Sequence, residues 1–138
     1  MKEKILVSAC LLGINCKYNG GNNYSEEVME FLKNYEIIPI CPEQLGGLKT
    51  PRPASEIIGD KVINIEGDDV TDEYQKGAEA TLKIAQLLGA KKALLKAKSP
   101  SCGNGKIYDG TFSSVLTDGN GITTKLLKEN NIEVITIK

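Results

Sequence analysis

Cysteines at positions 10, 16, 41 and 102 are the side chains with the widest chemical reach in this 138-residue chain, and no histidine accompanies them. That absence removes the usual general base near neutral pH, the mixed Cys/His ligand sets of zinc and any Cys–His nucleophile pair. Chemistry must run on thiols, carboxylates, hydroxyls, lysines, tyrosines, backbone groups or a cofactor. No two cysteines have C-x-x-C spacing, so a thioredoxin-type redox pair and a zinc ribbon both fit poorly. All-thiolate ligation suits an iron–sulfur cluster or tetrahedral zinc. A structural zinc site would take all four thiols and close, whereas a [4Fe–4S] cluster held by three would leave one iron open to a substrate. The spacing leaves both readings open. A third is a small nucleotide- or anion-binding module in which the cysteines are incidental.

The neighbours of the cysteines narrow the field. Glu43 stands two residues after Cys41, where a carboxylate beside a metal is a candidate general acid/base or else a first-turn acid on a short helix. Ser99 and Ser101 flank Cys102 in a loop with Pro100 and several glycines, as reacting hydroxyls or as turn residues. Arg52 lies between Pro51 and Pro53 in a stiff segment, a mount for binding an anion or a planar ring, or for an ion pair. Tyr18 and Tyr108 could stack on a heteroaromatic ligand or pack on the fold, and Asp109 before Gly110 could contact a ligand or make a turn.

The elements that must position these residues alternate. Residues 4–9 read as a first, central strand and 35–40 as a second, with Pro39 placing that end at a sheet edge or leaving it locally unpaired. Residues 92–97 and 132–137 read as further strands. Between them, Ser25 caps a short helix ending near Asn34. Thr71 or Asp72 caps the clearest one, which Gly89 stops, and a last helix spans 122–129. A short hairpin is expected within 57–66. Strand–helix alternation implies right-handed crossovers and a mostly parallel sheet, so the expected fold is a small Rossmann-like three-layer α/β domain covering 1–138. Cys10, Cys41 and Cys102 then each fall just past the carboxyl end of a strand, on the one edge where open α/β sheets bind ligands. Cys16 reaches the same edge if its short loop folds back.

Composition sets the bounds. The formal net charge is −1, which argues against a nucleic-acid-binding surface. No apolar run reaches membrane-span or signal-peptide length, so the expected setting is the cytoplasm, where thiols stay reduced.

Three blocks of sequence carry a family resemblance. They are Ser8-Ala9-Cys10-Leu11-Leu12-Gly13 with Cys16-Lys17-Tyr18-Asn19-Gly20; Cys41-Pro42-Glu43-Gln44-Leu45-Gly46-Gly47-Leu48 with Pro51-Arg52-Pro53; and Lys98-Ser99-Pro100-Ser101-Cys102-Gly103 with Ile107-Tyr108-Asp109-Gly110-Thr111-Phe112. Together they resemble the DUF523 family, which includes the thiouracil desulfidases. The resemblance implies a cytoplasmic Rossmann-like protein with an oxygen-sensitive [4Fe–4S] cluster, lost in air and held by three cysteines from among Cys10, Cys16, Cys41 and Cys102. It implies non-redox hydrolysis of the C–S bond of a thionated base such as 2-thiouracil, giving uracil and sulfide. Glu43 would be the acid/base and Ser99 would assist. Arg52, Tyr18, Ser101, Tyr108 and Asp109, from the reading of the residues above, are the candidate substrate contacts. Lys17 stands where the family usually has Arg, and Asn19 where it usually has Asp. The expected partner is a small molecule, with no nucleic-acid duplex and no membrane.

Overall fold

Short apolar runs build the centre of the molecule. The computed structural model describes residues 2–137. In chain order it contains β1 (Glu3–Ser8), a 3-10 turn (Ala9–Leu12), α1 (Glu26–Leu32), β2 (Tyr35–Ile40), α2 (Pro42–Leu45), β3 (Ser55–Ile58) and β4 (Lys61–Asn64). There follow α3 (Thr71–Leu88), β5 (Lys92–Lys96), β6 (Lys106–Tyr108), β7 (Leu116–Asp118), α4 (Ile122–Glu129) and β8 (Glu133–Ile137).

The main sheet has the order β2-β1-β5-β8, and every pair in it is parallel. β1 is interior, as its unbroken apolar run requires. Pro39 sits opposite Val7 on edge strand β2, where its missing N–H can face away from the ladder. Alternation along the strands splits the core into two faces. Leu6, Ala93, Leu95 and Val134 pack with Ala85 of α3 and Leu127 of α4. Ile5, Val7 and Leu94 pack on the opposite face with Val28 and Leu32 of α1. The three-layer reading of the sequence therefore holds. Two antiparallel hairpins, β3–β4 and β6–β7, stand apart from the main sheet.

The caps follow local chemistry. Ser25 accepts from the amide of Val28 at 3.3 Å, and Glu26 and Glu27 sit in the first turn of α1. α3 departs from expectation. Its N-cap is Val70, and Thr71 is already helical because Asp69 accepts both its amide and its hydroxyl, at 2.9 and 2.6 Å. Gly89, at φ 78°, ends the helix as expected. Among the described residues no helix is long and apolar enough to cross a membrane.

Candidate functional site

All four strands of the main sheet run the same way, so their carboxyl ends share one edge. A cavity of about 480 Å³ opens there, and Cys10, Cys16, Cys41 and Cys102 all line it. Cys10 lies in the 3-10 turn directly after β1, and Cys41 follows β2 as the N-cap of α2. Cys102 comes from the loop after β5. The amide of Cys102 donates to Ser99 Oγ at 2.7 Å, and the amide of Gly103 to the Ser99 carbonyl at 2.9 Å, which folds that loop back over the strand ends.

Each thiol has a distinct set of neighbours. Asn23 donates its side-chain amide to Cys10 Sγ at 3.4 Å and its backbone N–H to the Cys10 carbonyl at 2.8 Å. Ser8 takes the Lys96 amide on its hydroxyl oxygen at 3.0 Å and points its hydroxyl at Cys102 Sγ, 3.8 Å away. Cys41 Sγ lies 3.9 Å from the carbonyl of Cys16. Burial pushes the thiols of Cys16 and Cys102 up to about 12. Cys10 is raised for the same reason, partly offset by Asn23. Lys96 also lines the cavity; burial lowers its pKa against the pull of Cys10.

Glu43 is set by two elements at once. It occupies the first turn of α2, and α2 lies tight against α3, because Gly46 and Gly77 let the two backbones meet. A Cβ at Gly77 would sit 1.9 Å from the Pro42 carbonyl oxygen, and one at Gly46 would sit 1.8 Å from that of Glu73. This contact brings Tyr74 of α3 to Glu43, where its hydroxyl donates to Oε1 at 2.8 Å. Arg52 Nε donates to the same oxygen at 3.0 Å. Burial and the Glu43 charge push the Tyr74 phenol well above its ordinary range, so it stays a donor.

The structure sorts the remaining sequence candidates. Ser99, Tyr18 and Tyr108 line the cavity, as does Arg52. The Arg52 guanidinium is taken up by the protein itself. Besides Glu43 it donates to the carbonyls of Lys49 and Cys16 at 3.3 and 2.9 Å, and to Thr50 Oγ1 at 2.9 Å. Of the two fates the sequence offered Arg52, the ion pair is the one seen: it braces Glu43 and the Cys16 loop while lining the cavity. Ser101 is placed differently from Ser99. It is 1% exposed, is not part of the cavity wall, and pairs with the Thr123 hydroxyl at 2.9 Å because its loop packs on the start of α4. Asp109 lies off the wall, its carboxylate accepting the amide and hydroxyl of Thr111 at 3.0 and 2.6 Å. Among the wall residues that the sequence reading did not single out for the site are Tyr74, Glu56 and Phe112.

The donor set fits an iron–sulfur cluster. It is thiol-rich, histidine-free and arranged around a cavity. Among the described residues no three His, Cys, Asp or Glu side chains come close enough together to hold one metal ion.

Comparison with known proteins points the same way. The model of the 2-thiouracil desulfurase family matches residues 5–138. YbbK of Bacillus subtilis (strain 168), which carries the name "Uncharacterized protein", is 43% identical over 142 residues, covering 96% of this chain and 94% of its own. The solved structure of TudS, a [4Fe-4S]-dependent thiouracil desulfidase, superposes with a TM-score of 0.91. It shares 44% identity and covers 98% of this chain and 91% of its own.

Proposed function

The chain belongs to the 2-thiouracil desulfurase family, and from that premise we propose that it is a [4Fe–4S]-dependent desulfidase converting thiouracil to uracil and sulfide. One observation carries the reading. Thiols that follow different strands, far apart in sequence, line a single cavity together with a half-buried, oriented carboxylate, Glu43. Cys10, Cys41 and Cys102 are the proposed cluster ligands, supported by their placement after β1, β2 and β5. Cys16 is then the thiol left over, its carbonyl engaged by Arg52. A reducing, cytoplasmic setting belongs to the same proposal and is supported by four free thiols.

When bound, the cluster supplies a thiophilic Lewis acid that polarises the C=S bond. The chain's own part is proton transfer and positioning. Glu43 takes a proton from the attacking water with the carboxylate oxygen that Arg52 and Tyr74 leave free, then returns it to the departing sulfur. The thiocarbonyl and water become a carbonyl and hydrogen sulfide, with no net oxidation or reduction. Ser99, whose oxygen is already an acceptor for the Cys102 amide, keeps its hydroxyl hydrogen to donate to the reacting group.

The test is sulfide release from 2-thiouracil by anaerobically reconstituted protein, beside Glu43→Gln. The native chain should be brown and active. Glu43→Gln should keep the visible cluster absorption and lose turnover by about a hundredfold or more, in line with the loss of a general base. Reconstituted protein without iron, or a Glu43→Gln variant that turns over normally, refutes the assignment.

A further inference from the structure

Glu56, on β3, is a buried carboxylate that this mechanism does not use. It is 8% exposed, lines the cavity, and forms no ion pair among the described residues. Its Oε1 accepts two backbone amides, Gly110 at 2.9 Å and Phe112 at 3.1 Å. Its other oxygen has no hydrogen-bond partner among the described residues. It is not sealed in protein either: the sole fully buried, unbonded side-chain oxygen or nitrogen there is Thr136 Oγ1. The carboxylate therefore holds a turn with one oxygen and offers the other to the cavity.

The turn that it holds is strained. Phe112 and Ser114 sit at φ 56° and 60°, a left-handed region that residues with a side chain enter at a cost. Gly110, at φ 93°, lets the turn close on β3, since a Cβ there would lie 2.9 Å from the Ile57 carbonyl oxygen. Phe112, on this strained backbone, is part of the cavity wall. A carboxylate oxygen that the protein leaves unpaired at a cavity wall is an acceptor open to a ligand's donor. A thiouracil-type ring carries N–H groups beside its C=S carbon, which are donors of the right kind.

We propose that Glu56 is a specificity-determining residue whose free oxygen accepts a ring N–H of the thionated heterocycle, while Phe112, held by the same carboxylate, packs on the ring face. The identity of the ring rests on the desulfidase reading above. The substrate class follows: heterocyclic thioamides with an unsubstituted ring nitrogen next to the thiocarbonyl.

The experiment is anaerobic calorimetry of cluster-loaded protein with uracil, the product ring, and with N,N′-dimethyluracil, which has no N–H. The native chain should bind uracil at least about tenfold more tightly than the dimethyl compound, the loss expected for one charge-assisted hydrogen bond. Glu56→Gln keeps an acceptor for the turn amides but presents an amide donor to the ring. It should weaken uracil binding by about tenfold and bring the two ligands level, with cluster absorption and circular dichroism unchanged. Equal binding of both ligands by the native chain, or no uracil binding by it, overturns the proposal, and neither result requires the variant to fold. Uracil bound through Glu56 by a chain that releases no sulfide would sink the catalytic reading alone. Active enzyme whose uracil affinity ignores Glu56→Gln would sink this inference alone.

Discussion

Both protein bonds to the Glu43 side chain land on Oε1, and that asymmetry gives a carboxylate a direction. Arg52 and Tyr74 are positioning residues: they touch the acid/base and hold one of its oxygens. Tyr74→Phe keeps the ring that packs with Val62 and Val70 and removes only the hydroxyl. We expect kcat to fall about tenfold, the value of one hydrogen bond to a charged group, with KM and the cluster absorption little changed. A Tyr74 with a purely structural role would lower the melting temperature and leave kcat alone. The thiols make a second prediction at this scale. Burial lifts Cys102 from the ordinary 9.0 to about 12, and Cys16 likewise, with Cys41 and Cys10 adding repulsion. In cluster-free protein these thiols are neutral when folded, and they ionise near 9.0 once unfolded. Their contribution to stability is whole below pH 9.0 and drains away as pH rises toward about 12. The melting temperature of cluster-free protein should fall over that window, and more steeply than that of its Cys102→Ala variant.

At the scale of elements, the seat of α2 on α3 decides whether Cys41 and Glu43 reach the cavity. Gly77→Ala places a methyl group 1.9 Å from the Pro42 carbonyl oxygen, a clash that only a shift of α2 relieves. The main sheet does not depend on that contact. Circular dichroism should stay close to native, while iron bound after reconstitution and sulfide release both fall severalfold; full loading by the variant would show that α2 placement is not limiting. The same contact shows what the sequence could reveal. Cys10, Cys41 and Cys102 were legible because each follows a strand written in continuous apolar residues, and a parallel sheet gathers such ends. The β6–β7 hairpin was not legible. Its strands have three residues each, and Leu116, Thr117 and Asp118 are all exposed, so no alternation marks them. Four-residue α2 is too short to carry a period. Tyr74 sits on the apolar stripe of α3 and read as core, which it also is; a buried phenol's need for a partner was the one available signal. Glu56, an acid on the inward side of a strand that is otherwise Ser-Ile-Ile, was a comparable clue, but Gly110 and Phe112 join it only through tertiary packing.

For the whole molecule, the question is whether the cluster holds the fold or only the rim of the sheet. Ile5, Leu6, Val7, Ala93, Leu94 and Leu95 are all fully buried between the helical layers, and none of them lines the cavity. Burying such side chains contributes about 1.5–3 kcal/mol each for the larger ones, so the sheet and its helices stand on their own packing. The rim is different. Residues 10–21 and 98–110 carry the Cys10, Cys16 and Cys102 thiols outside the main sheet; the first is held largely by amide bonds within its own turns, the second by amides of residues 119–124. Thiols must lose protons to bind iron, so cluster binding is coupled to the order of these loops rather than to the sheet. Removing the cluster by anaerobic oxidation and chelation should therefore leave far-ultraviolet circular dichroism nearly unchanged and unfolding still cooperative. Amide hydrogen exchange should quicken in 10–21 and 98–110 while β1, β5 and α3 stay protected. A small zinc domain, whose metal carries the folding energy, behaves in the opposite way: stripping its metal unfolds the chain. Global unfolding on chelation would mean that the thiols hold the fold together, and the separation of a self-supporting sheet from a cluster-ordered rim would be wrong.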